Sequence, residues 1–108
     1  MNYEIIYSPD ALTDLYGIYQ YLAVEREAPE RAAKLHQRLR SRIHKLSQMP
    51  ERFRRYEKAP PQLPHLHIMP VGQYVVLYYI NTRERRVIIV RILNGRRDIP
   101  AALHDTEP

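Results

Sequence analysis

Tyr74-Val75-Val76-Leu77-Tyr78-Tyr79-Ile80 and Arg86-Val87-Ile88-Ile89-Val90-Arg91-Ile92-Leu93 are two dense runs of β-branched and aromatic residues, separated only by Asn81-Thr82-Arg83-Glu84-Arg85. Such runs, joined by a short polar loop, read as adjacent antiparallel strands of a hairpin. Alternation assigns the faces. Tyr74 and Tyr78 share a phase with Val76 and Ile80 and are expected in the core, whereas Tyr79 has the opposite phase. In the last strand Ile88, Val90 and Ile92 form one apolar face, and Val87, Ile89, Arg91 and Leu93 form the other. The charge on Arg91 marks the second face as the one turned away from any covering helices. Immediately upstream, Leu66-His67-Ile68-Met69 reads as a further short strand, closed by Pro70 and a Gly72-Gln73 turn.

The N-terminal half has a different period. Asn2-Tyr3-Glu4-Ile5-Ile6-Tyr7 is a short strand that stops at Ser8-Pro9, where Ser8 is placed to cap a helix, with Pro9 at its first position and Asp10 in its first turn. Ala11, Leu12, Leu15, Ile18, Tyr19 and Leu22 then recur at three-and-four spacing, which predicts one apolar stripe up to about Val24. Pro29 opens a second helix ending near Met49, with Ala32, Leu35, Leu39, Ile43 and Leu46 on one face and Arg31, Lys34, Arg38, Arg42 and Lys45 mostly on the other. Two such helices form an αα-hairpin that needs a sheet to bury both stripes. Residues 51–64 are Pro-rich and basic and read as an extended loop. The fold class is therefore α+β: one N-terminal strand, an αα-hairpin, and a three-stranded antiparallel meander in one sheet. Helices on one side leave an open sheet face, the expected working surface.

With 108 residues, 44% of them hydrophobic and 27% charged, the chain suits a single domain. We place that domain at 1–98, followed by a C-terminal tail at 99–108. The absence of cysteine excludes disulfides, thiolate zinc sites and cysteine nucleophiles. The N-terminus is too short and polar for a signal peptide, and no apolar run reaches membrane-spanning length, so a cytoplasmic protein is expected. The net charge of +5 is unevenly placed. Residues 1–25 carry Glu4, Asp10, Asp14 and Glu25 and no base, giving −4, while 26–58 carry eleven basic and four acidic side chains, giving +7. Residues 83–98 hold six arginines against Glu84 and Asp98, giving +4, and the tail contributes −2 through Asp105 and Glu107. Basic charge concentrated on particular elements suits an anionic partner such as RNA, DNA or an acidic protein segment. The plainer alternative is a solubilising surface.

The order of elements, together with Ser8-Pro9-Asp10-Ala11, Val71-Gly72-Gln73-Tyr74 running into Val75-Val76-Leu77-Tyr78-Tyr79, and Val90-Arg91-Ile92-Leu93-Asn94-Gly95-Arg96-Arg97-Asp98, resembles the RelE/ParE superfamily of bacterial toxins over nearly the whole chain. The resemblance implies a type II toxin neutralised by a cognate antitoxin, in a hetero-oligomer with it. It also implies one of two targets. RelE-like members are ribosome-dependent mRNA endonucleases, metal-independent, with basic residues after the second helix, an arginine early in the third strand, another at the end of the fourth, and a tyrosine or histidine near the C-terminus. ParE-like members poison DNA gyrase and have no known nuclease activity. On the endonuclease reading, the matching residues are Arg54, Arg55, Lys58, Arg97 and His104, with Arg52 in the same basic loop. The third-strand position is Val75, however, and Leu103 stands where the C-terminal tyrosine is expected. Neither side chain can hold a phosphate or move a proton. These two departures favour the ParE-like, gyrase-poisoning reading. A purely structural protein is a third possibility, and it predicts no toxicity.

For either target, Tyr79, Arg91, Arg96 and Arg97 are the candidate anion- or target-binding residues, because two arginines after Gly95 make a compact anion site and Tyr79 shares the phase of the open face. Arg38, Arg42 and Arg91 are candidates for antitoxin binding, since an acidic segment laid over helices and sheet edge would meet them. His65 and His67 have the two-residue spacing of ligands on one strand face, but no third ligand accompanies them, so they are expected as exposed residues of an edge strand rather than a metal site. His36 and His44 are expected to face solvent. No cofactor is expected.

Overall fold

A computed structural model describes residues 2–106. Strand β1 (Glu4–Tyr7) leads into helix α1 (Pro9–Gln20), which widens into a π-helical turn at Tyr21–Glu25. Helix α2 (Pro29–His44) follows, then two short 3-10 turns and a long loop, strands β2 (His67–Val71), β3 (Tyr74–Asn81) and β4 (Arg86–Asn94), and helix α3 (Ile99–His104). The four strands form one sheet in the order β1-β4-β3-β2, with the last three strands an antiparallel meander. β1 pairs parallel with β4, and the αα-hairpin carries the chain from β1 to β2 at the opposite edge of the sheet.

Ser8 caps α1, its Oγ accepting from the Ala11 N–H at 3.0 Å, while the same hydroxyl donates to the Val90 carbonyl. Gly72, at φ +60°, makes the tight β2–β3 turn in a conformation that side-chain-bearing residues rarely adopt. The helices pack on a core of Leu15, Leu39, Ile43, Leu46, Met69, Tyr74, Val76, Tyr78 and their neighbours. Tyr74 and Tyr78 are thus inside, as their phase requires. The buried Tyr78 hydroxyl donates to the Pro50 carbonyl at 2.6 Å and pins the loop to the sheet. The α1 stripe is narrower than its spacing predicts. Ala11 and Leu15 are buried, but Leu12 is 50% exposed and Tyr19 36%.

Several expectations are corrected. The β4 faces switch phase midway, because a β-bulge sets Leu77 opposite Arg91 and Tyr78 opposite Ile89, leaving Val90 without a partner. Val87, Ile89 and Ile92 therefore face the helices, and Ile88, Val90 and Leu93 face the other way. That other face is not open. Leu63, Leu66, Ile99 and Leu103 cover it in a second apolar cluster that also takes in Tyr56, Val75 and Tyr79. The segment assigned above to a tail from residue 99 thus forms α3, capped by Asp98, with Leu103 fully buried; residues 107 and 108 lie outside the described residues. His67 is also not exposed. It stacks on Tyr78 at 5.3 Å between ring centroids, and its Nδ1 lies 2.8 Å from the Phe53 carbonyl. The outer edge of its strand is covered by the loop, since Ile68 donates to the Arg54 carbonyl and Tyr56 to that of Leu66. His36 is half-buried against Tyr19, while His44 is exposed.

Candidate functional site

The strand-end stretch Asn94 to Asp98 divides into residues with structural tasks and residues without. Asn94 closes the turn, accepting from the Arg96 N–H through Oδ1 and from the Arg97 N–H through its carbonyl. Gly95 permits a close backbone approach: its N–H donates to the Gln73 carbonyl at 2.7 Å, and a Cβ there would lie 3.2 Å from that oxygen. Asp98 caps α3. Arg96 and Arg97 are exposed and make no side-chain bond among the described residues, so the fold holds their backbone and leaves both guanidinium groups to solvent.

Arg97 stands between two clefts. One, of about 380 Å³, is lined by Arg54, Tyr56, Glu57, Lys58, Arg97 and Asp98 with Ile99 and Pro100. It brings together three of the five residues suggested for phosphodiester cleavage. The other two are elsewhere. Arg55 turns to His65, Nη1 to Nδ1 at 2.7 Å, and His104 is exposed beside Asp105, its carbonyl accepting from Gln62. Val75 is packed in the second cluster and Leu103 has no exposed surface, so both apolar departures are fixed by packing. Tyr56, which as an aromatic beside arginines the sequence offers as a base-stacking candidate, also lines this cleft. Its phenol is held above the usual tyrosine range by burial and then by the Asp98 carboxylate, against the pull of Arg54. At neutral pH it is a proton donor and stacking surface rather than a base.

The second cleft, of about 590 Å³, lies between the end of α1 and the β3–β4 end of the sheet. Arg26, Arg31 and Arg97 rim it, with Gln73 and Asn94, over an apolar floor that includes Ile18, Leu22 and Ile92. A smaller groove beside it carries Arg31 and Arg38 against Leu35, Val71 and Gly72. Arg42 continues this row and reaches the Pro70 carbonyl at 3.5 Å. Arg38 and Arg42 therefore stand on one flank of α2, along the β2 edge. Arg31 belongs to that flank, and its spacing of seven from Arg38 is the signal that would have added it.

Arg91 belongs to neither surface, which corrects its assignment to target and antitoxin binding. Its guanidinium is paired with Asp14 of α1 at 2.7 and 2.8 Å and also donates to the Ala102 carbonyl and Thr106 Oγ1. The side chains of Arg91 and Asp14 are only 15% and 11% exposed. The Asp14 hydrogen bond raises Arg91 further above its ordinary range, so the charge is permanent. Asp14 also accepts from the Ile92 N–H, serving the edge of β4 beyond the end of β1. Tyr79 has the predicted phase but is half-buried in the second cluster. Among the described residues, no group of three His, Asp or Glu side chains is arranged to hold a metal, and no helix is long and apolar enough to cross a membrane.

Comparisons with known proteins agree with this architecture. The chain is similar to the chromosomal ParDE toxin-antitoxin system of P. aeruginosa at 19% identity and a TM-score of 0.66, covering 85% of this chain and 95% of that one. It is similar to a mutant of the E. coli toxin RelE in the free state, with two arginines replaced by alanine, at 11% identity and a TM-score of 0.62, covering 94% and 93%. It is also similar to the RelBE2 toxin-antitoxin complex of Mycobacterium tuberculosis at 22% identity and a TM-score of 0.57, covering 87% and 99%. No protein of curated function matches. The model of the ParE toxin of the parDE type II toxin-antitoxin system matches residues 5–99. The chain is a member of that ParE toxin family, a type II toxin of the RelE/ParE superfamily.

Proposed function

We propose that this toxin arrests growth by poisoning DNA gyrase in the cytoplasm and is silenced by a cognate antitoxin. The observation that carries the choice of target is the composition of the cleft around Arg97. It collects cations from Arg54, Lys58 and Arg97 and holds no histidine; of its two carboxylates, Glu57 and Asp98, the second is engaged in capping α3. Tyr56 is held protonated by burial, Val75 and Leu103 are packed, and His104 points to Asp105. Such a site, with three cations and no histidine, suits binding an anionic or acidic surface better than cleaving it. The same three cations in one cleft favour a second reading, a ribosome-dependent mRNA endonuclease, in which they would stabilise the charged phosphorane.

The antitoxin surface we assign is the row Arg31, Arg38 and Arg42 beside Leu35 and Val71, where an acidic amphipathic segment would find both charge and apolar contact. The similar ParDE and RelBE2 structures are toxin-antitoxin assemblies, which supports a partner of this kind.

Induction in a strain without the antitoxin is expected to stop growth, and co-expression of a small neighbouring gene product to restore it; undiminished growth would remove the toxin assignment for this chain. Purified protein added to gyrase supercoiling reactions and to programmed ribosomes separates the targets. Inhibited gyrase with intact mRNA is expected, and cleaved mRNA with unaffected gyrase would reverse the choice. Arg97→Ala is expected to weaken either activity by one to two orders of magnitude, at about 1.5–3 kcal/mol for a charged contact. Val75→Ala is expected to leave activity within about threefold, as befits a packing residue. Antitoxin binding lost with toxicity intact would move Arg97 to the partner interface.

A further inference from the structure

The opposite flank of α2 carries a basic surface that the toxin reading does not use. Arg40, Ser41 and His44 continue through Lys45 and Gln48 to Arg52 and enclose an open cleft of about 730 Å³. Its lining residues include no carboxylate, and the imidazole of His44 is the one ring among them. Among the described residues, Arg40, Lys45 and Arg52 are in no ion pair, in contrast to Arg86 and Arg91. Two of the three are nonetheless held in place. The Arg40 guanidinium lies 5.5 Å from the centre of the Tyr7 ring and that of Arg52 5.3 Å from that of Phe53, contacts that orient a cation without neutralising it. The hydroxyl and amides of Ser41, Gln37 and Gln48 supply neutral donors between the charges.

We infer that this cleft is a docking site for the phosphodiester backbone of a nucleic-acid duplex. Unneutralised cations interleaved with hydroxyl and amide donors are what positions a protein on a phosphate backbone without reading sequence. A single imidazole, with no Tyr, Phe or Trp beside it in the lining, falls short of the row of stacking platforms on which single-strand recognition relies. The absence of carboxylates removes the repulsion that would discriminate against a polyanion. The site is separate from the Arg97 clefts and does not depend on which target the toxin attacks.

Fluorescence anisotropy with a short labelled duplex, prepared as DNA and as RNA, and with the corresponding single strand tests the assignment across a salt series. Binding to duplex of either kind in preference to single strand is expected, with DNA against RNA identifying the source. Arg40→Gln with Lys45→Gln is expected to weaken duplex binding about tenfold at fixed salt and to flatten the log-log salt slope by about 2. Lys34→Gln with Arg83→Gln removes equal charge from exposed positions outside the cleft and is expected to cost less than about threefold. Ser41→Glu, which leaves the Arg40–Tyr7 contact in place, gives a second probe if the first pair melts early, and it too is expected to weaken binding. Equal effects from the two double variants, a preference for single strand, or no duplex binding by the unaltered protein would overturn the assignment.

Discussion

Asp14→Ala destabilises the protein by about 3–5 kcal/mol, because it leaves the Arg91 guanidinium buried without its counter-charge. The expected value lies at the upper end for a single substitution, since Asp14 does two things. It pairs with Arg91 through both oxygens, and it accepts from the Ile92 N–H at the unpaired edge of β4. Removing it strips both groups of their partner, and α3 is loosened as well, because Arg91 also bonds Ala102 and Thr106. Urea unfolding followed by circular dichroism measures the loss. Replacing the pair together, Asp14→Leu with Arg91→Met, is expected to recover most of it, as isosteric apolar replacements of buried pairs do. A double variant as unstable as Asp14→Ala would show that the Ile92 contact, not the charge, carries the cost.

Leu103→Ala is expected to cost about 2–5 kcal/mol, the range for removing a large aliphatic side chain from a core. Leu103 has no exposed surface and closes the second cluster with Leu63, Leu66, Val90 and Leu93. A tail residue would cost almost nothing on truncation, so the measurement distinguishes a segment of the domain from an appendage. Hydrogen exchange adds a local readout: the loop that shares the cluster should lose protection along with α3. An unchanged midpoint would return residues 99–104 to the status of a tail.

Element identity was legible in the sequence because periodicity survives in it. The β3 alternation of Tyr74, Val76, Tyr78 and Ile80 and the α2 stripe of Ala32, Leu39 and Ile43 each mark the face that meets the first core. What could not be read is the bulge at Val90, since strict alternation continues on paper through a residue that has no cross-strand partner. That single slip misassigned Arg91, and with it the idea of an open face. The cover of the second face was equally hidden. It comes from a Pro-rich loop and a one-turn-and-a-half helix, whose few apolar residues, Leu63, Leu66 and Leu103, show no period. At the site, Arg54, Lys58 and Arg97 do converge, whereas Arg55 and His104 do not, because a loop's side-chain directions are set by tertiary bonds such as Arg55 to His65. Tyr56 was visible as a stacking candidate beside these cations, but no spacing fixed its place in the cleft.

The parallel pairing of β1 with β4 also orders events during synthesis. Among the described residues β1 has β4 as its only neighbour in the sheet, so this strand cannot be paired during synthesis until residues 86–89 have followed it. At about 5–20 residues per second the nascent chain spends several seconds with its N-terminal strand unpaired. A nascent chain stalled before Arg86 is accordingly expected to be cut by protease near Ile5 and Ile6, and a released chain to resist. An unfinished toxin is thus exposed to proteolysis at its first strand, and the finished sheet closes only with its last one.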